Sequence, residues 1–132
     1  MRGLTGWLVL VEENRLNEVV DEGSISSEFI SVLPPVKKEE EVFLASFSGE
    51  KLGVIGLFAV TSVSERRLDM KPEIFLTQKP LEVKRSEIKS LEGVEPRRGI
   101  FPLDPEDYDR LREGLERLAM EESIGKGLSI PG

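Results

Sequence analysis

Two apolar runs, Val42–Phe47 and Leu52–Val60, are separated only by the polar turn Ser48-Gly49-Glu50-Lys51, and this leaves the segment few ways to fold. Both runs are rich in Val, Ile and Phe, which suit a pleated, half-buried surface, and the linker is short enough to force antiparallel pairing. The pattern predicts a β-hairpin. Gly53 and Gly56 lie inside its second strand, where glycine marks a bulge, a bend or the close approach of another backbone or a ligand. A small, bent, closed sheet is the architecture this implies.

Around the hairpin the apolar period changes several times. Trp7–Val11 has no helical period and reads as a buried first strand. Leu16, Val19 and Val20 then fall at helical spacing, with Asn14 as the expected N-cap and Gly23 as the stop. Ile25–Leu33 fits either a strand or a helical turn and ends at Pro34-Pro35. After a polar loop from Glu65 to Pro72, Glu73–Thr77 and the alternating Leu81–Lys84 read as strands. Ser86 opens a short turn of helix carrying Ile88 and Leu91, and Arg97–Leu103 reads as a last strand. Asp104 as N-cap, Pro105 at the first helical position and the stripe Tyr108, Leu111, Leu115, Leu118, Ala119 predict a C-terminal helix packed on the sheet. Residues 1–122 are expected to form one domain and 123–132, with three glycines and a proline, a flexible tail.

Composition removes whole classes of chemistry. The chain has no cysteine and no histidine, so disulfides, thiolate metal sites, the usual zinc ligands and the Ser-His triad are excluded. Only carboxylate, lysine, tyrosine or backbone groups are left for catalysis, and no residue is assigned a catalytic role. The acidic runs Glu39–Glu41 and Asp104–Asp109 match no calcium-loop spacing, and helix capping accounts for the second, so no metal and no cofactor is expected. No segment is long and apolar enough to span a bilayer, which points to a cytoplasmic protein with no membrane partner. The net charge of −7 argues against a polyanionic partner, but the sign is unevenly spread. Arg66–Arg98 holds nine Lys and Arg against six acids, whereas the remainder holds nine against nineteen. A phosphate-bearing ligand would meet that basic segment, unless its charges merely solvate loops.

The chain resembles the PUA-like superfamily, in particular its EVE and ASCH-type branches and an archaeal family near them. The likeness spans about residues 4–119. It rests on Gly6-Trp7-Leu8, on Glu41–Ser46 leading into Gly53-Val-Ile-Gly56, on Lys79–Val83, and on Arg98–Leu103 ahead of a helix containing Tyr108. Two family features are missing: a Gly-Asp pair before the second barrel strand, where Lys37–Glu41 stands, and a rich aromatic cage. The resemblance implies an α+β fold, a small mixed or antiparallel β-barrel with flanking helices, whose relatives bind RNA or modified nucleobases. The expected function is therefore a nucleic-acid-binding module without catalysis, its partner RNA or DNA and its target an unstacked or modified base. The alternatives are a protein-interaction domain, including a homodimer through the exposed hairpin edge, and a small-molecule-binding domain that uses a carboxylate and a lysine in the barrel mouth.

Base capture needs an apolar wall, a few directed hydrogen-bonding groups and cations for the flanking phosphates. Trp7 and Phe47 are the candidate walls, each with an equally good reading as core, and Ser46 is a candidate hydroxyl donor beside Thr77. Lys84 and Arg85 form one basic pair and Arg97 and Arg98 another; for the second pair the bland reading is ion pairing with Glu92, Glu95 or the acidic first turn of the last helix.

Overall fold

The computed structural model describes residues 6–26, 36–65, 67–93 and 99–128. Strand β1 (Gly6–Glu12) leads through a 3-10 turn into helix α1 (Leu16–Glu22), which Gly23 closes at φ 66°. The expected N-cap, Asn14, instead lies inside the 3-10 turn, and no side chain caps α1. Strand β2 (Ser24–Ser26) follows, and Phe29–Leu33 lies outside the described residues. The hairpin consists of β3 (Glu41–Ser48) and β4 (Lys51–Val63), with Gly49 at φ 61° in the turn.

Strand β5 (Arg67–Phe75) begins earlier than the polar character of 65–72 foretells. Leu68 and Met70 alternate inward there and are buried, and β5 is paired on both sides, to β4 and to β2. Strand β6 (Leu81–Lys84) falls where the alternation places it, two 3-10 turns (Arg85–Glu87 and Lys89–Leu91) replace the short helix, and β7 is Gly99–Pro102. Helix α2 runs from Pro105 to Leu128, past the point where a tail was expected to begin. Neither described helix is long and apolar enough to cross a membrane.

The seven strands form one mixed sheet in the order β2-β5-β4-β3-β1-β7, with β6 pairing the first half of β4. β1 and β3 run parallel and every other pair is antiparallel. Among the described residues the sheet curls into a half-barrel, with β2 and β7 at opposite ends of the order. Its curvature comes from irregular pairing. Leu44 faces Gly56 and Ala45 faces Val54, so Ile55 is an extra residue, which is the bulge that glycine in this strand signals. A Cβ on Gly56 would lie 2.5 Å from the Ile74 carbonyl oxygen, so only glycine lets the two backbones come this close.

Both faces of the sheet are buried. Alternation along β1 sends Leu8 and Leu10 to a core under α2, shared with Phe43, Leu57, Tyr108, Leu111 and Leu115. Val9 and Val11 go to a second core with Val19, Val42, Leu44, Phe58 and Leu68. Asp107, 2% exposed, ties α2 to the preceding 3-10 turn: its carboxylate accepts from the Ser90 N–H (2.8 Å), the Ser90 hydroxyl (2.6 Å) and the Lys89 N–H (3.3 Å). The acidic run at the start of the helix is thus partly a clamp on other backbone.

Candidate functional site

β5 meets β4 with one residue too many. Leu57 pairs with Ile74 and Phe58 with Pro72, which leaves Glu73 as the extra residue of a second bulge. Proline accounts for the position, since it has no N–H to give the ladder and within sheets is confined to edges, strand starts and bulges. A bulge breaks the alternation and re-aims a side chain. Here both Glu73 and Ile74 line a recess of about 430 Å³ between α2 and the β4–β5 pair.

The recess has an apolar floor and a charged rim. Leu57, Ile74 and Ala119 form the floor; Phe75, 38% exposed, borders the recess, but its ring packs T-shaped at 6.2 Å on Phe58 of the α1-side core. Glu73, Arg112 and Glu116 occupy the rim. Arg112 and Glu116 are one turn apart on α2 and joined by Nε to Oε2 at 3.3 Å. One turn earlier stands Tyr108, whose ring packs edge-on against Phe43 at 5.5 Å and whose hydroxyl donates to Glu41 Oε1. Arg112 Nη1 donates to the same hydroxyl at 2.8 Å and lies 3.9 Å from Glu41 Oε1.

Glu41 opens β3 and Glu73 lies on β5, with β4 between them, yet their carboxyl groups meet in a hydrogen bond. A carboxyl that hydrogen-bonds a second carboxyl beside it favours its protonated form. The hydrogen bond to Glu41 is the main reason the Glu73 carboxyl is raised to about 7; partial burial and the charge of Glu41 add to it, and Arg112 and Lys71 oppose it. Tyr108 is pushed up to about 12, first by burial and then by its bond to Glu41. The hydrogen bond to Tyr108 holds Arg112 above its usual range, so its guanidinium stays charged. Near neutral pH the rim therefore offers a fixed cation and, at Glu73, a carboxyl that on ionising accepts from a ligand's N–H groups.

Most of the residues singled out from the sequence lie elsewhere. Trp7 packs against the α1-side core, on the opposite face of the sheet from the recess, and its indole N–H donates to Glu40 Oε1 at 3.1 Å. Ser46 is buried at 8% exposure, and its neighbour Phe47 turns to the other face against the α2-side core. Lys84 is exposed at the end of β6, directly opposite Lys51. Arg85 follows in the 3-10 turn, half-buried, with Nε and Nη2 free of hydrogen bonds. Pairings Phe47–Leu52–Val83 and Ser48–Lys51–Lys84 bring Phe47, Lys84 and Arg85 to one end of the sheet, while Trp7 sits at the far end of the β1–β3 pair. Arg97 and Arg98 lie outside the described residues.

Glu73, Tyr108 and Arg112 escaped the sequence reading as site residues. Two signals pointed to them: a proline beside an acid within a strand, and Tyr108, Arg112 and Glu116 at four-residue spacing on one helix face. The chain matches no protein-family model and no curated protein sequence.

Proposed function

We propose that this protein is a PUA-like nucleic-acid-binding module that holds one unstacked base in the recess beneath α2, without chemistry. The observation that carries the reading is the β5 bulge, which sets Glu73 beside Glu41 and Arg112 at the mouth of an apolar-floored recess. A base needs a flat apolar contact and a few directed polar groups, and Leu57 with Ile74 and Ala119 supplies the first while the rim supplies the second. At about 430 Å³ the recess falls within the range of roughly 300–1,000 Å³ typical of small-ligand sites. Lys71 near the rim and the Lys51, Lys84 and Arg85 group at the hairpin end offer cations for the flanking backbone. The curled mixed sheet with a helix across one face is compatible with the PUA-like resemblance.

The test is fluorescence anisotropy with labelled single-stranded RNA and DNA at low and moderate salt. Binding should weaken as salt rises, since phosphate contacts release counterions. It should also weaken about tenfold in Arg112→Ala, because a hydrogen bond from a charged donor contributes roughly 1.5–3 kcal/mol. Absence of binding to any strand at low salt, or binding unchanged in Arg112→Ala, defeats the reading. Absence of binding together with a mass that grows with concentration would favour the protein-interaction alternative.

A further inference from the structure

Resting on the base-capture reading, we propose that the base this recess selects is guanine, whose N1–H and 2-amino group donate to the Glu73 carboxylate while its O6 accepts from Arg112. Within the rim the two acidic partners are not equivalent. Glu41 Oε1 already receives the Tyr108 hydroxyl and lies beside Arg112 Nη1, so it is committed to α2. Glu73 is exposed and meets only Glu41 through its carboxyl group, so it is the acceptor an incoming ligand reaches. Arg112 spends Nε on Glu116 and Nη1 on Tyr108, which leaves Nη2 without a hydrogen bond among the described residues. The rim thus offers a carboxylate that accepts two parallel N–H groups, next to one cationic donor.

The donor and acceptor pattern of the bases decides which of them fits. Guanine alone places two donors side by side, with the O6 acceptor next to them. Adenine and cytosine present one amino donor beside a bare ring nitrogen, whose lone pair would face the carboxylate. Uracil and thymine present a single N–H flanked by two carbonyl oxygens. A site built to receive two N–H groups rejects a ligand that leaves one of its acceptors unpaired.

Glu73 must be ionised to accept both donors, so guanine competes with the proton held against Glu41. The charged and titratable groups facing Glu73 are Glu41 on β3, Lys71 on β5, and Tyr108, Arg112 and Glu116 on α2. Of these, the Glu73 carboxyl is the one raised to about 7. Guanine should accordingly bind about tenfold more tightly at pH 8 than at pH 6, the ratio of ionised Glu73 at those two values.

The experiment uses short A-rich single strands with one central guanine, hypoxanthine, adenine or cytosine, titrated into the protein and into Glu73→Gln at pH 6, 7 and 8. Hypoxanthine lacks only the 2-amino group and should bind about tenfold more weakly than guanine, the cost of one hydrogen bond to a charged acceptor. Glu73→Gln should erase both this difference and the pH dependence, and Glu73→Asp should restore part of each. Because Glu73 is exposed, unchanged Trp7 fluorescence serves as the check that the variants are folded. If strands bind with equal affinity whatever the central base, or if Glu73→Gln keeps the guanine preference, the guanine assignment fails while base capture stands. If no strand binds at all, both fall together.

Discussion

Replacing Glu73 with Gln should change how the stability of the fold responds to pH, and the sign can be worked out in advance. In the unfolded chain this carboxyl titrates near its usual 4.5, whereas in the folded protein the shared hydrogen bond with Glu41 raises it to about 7. Between those values the folded state binds more protons than the unfolded state, so stability falls as pH rises. The stabilisation lent by the Glu73 proton is complete below pH 4.5 and is lost as pH passes through about 7. In a dry site the full displacement would be worth about 3 kcal/mol. Glu73 is exposed, and water screens such a pair to about 1 kcal/mol. The absence of histidine makes the measurement clean, because few other groups titrate between pH 5.5 and 8. Urea unfolding followed by the fluorescence of Trp7, the single tryptophan, should show the wild-type midpoint dropping by about 0.5 M from pH 5.5 to pH 8. Glu73→Gln keeps a neutral hydrogen-bonding partner for Glu41 and should hold its midpoint nearly level. Parallel curves for the two proteins would refute the raised Glu73 carboxyl.

Two further substitutions test how the site is held in place. Gly56→Ala would set a methyl group 2.5 Å from the Ile74 carbonyl oxygen, a backbone atom that cannot swing aside, and should cost about 1–3 kcal/mol in urea unfolding. A midpoint equal to wild type would mean that the β4–β5 approach is looser than described. Asp107→Ala strips the Ser90 and Lys89 N–H groups of their acceptor and should cost about 1–3 kcal/mol, with faster amide hydrogen exchange at Ser90 as the local sign. Unchanged exchange at Ser90 would remove the clamp role.

What could be read directly from the residues was whatever depends on neighbours in the chain. The hairpin, the first strand, Gly23 at the end of α1 and the buried stripe Tyr108, Leu111, Leu115 all follow from local period and turn chemistry. The early start of β5 was less legible, because Arg67, Asp69 and Lys71 are polar on the face opposite to the one where Leu68 and Met70 point inward. Trp7 drew notice for its chemistry, but its environment is set by the α1-side core and by Glu40, partners that its own segment does not reveal.

By itself the sequence determined the hairpin, the first strand and the C-terminal helix, the absence of cysteine and histidine chemistry, and a strand in which glycine had to permit irregular pairing. Only the tertiary structure decided that Glu41, Glu73 and the Tyr108–Arg112 turn would meet, with Glu41 and Tyr108 separated by 67 residues. The reason is register: side chains alternate along a strand, so a single extra residue decides which face each acid takes. At Glu73 that residue is the bulge itself, and it exists only where β5 lies against β4.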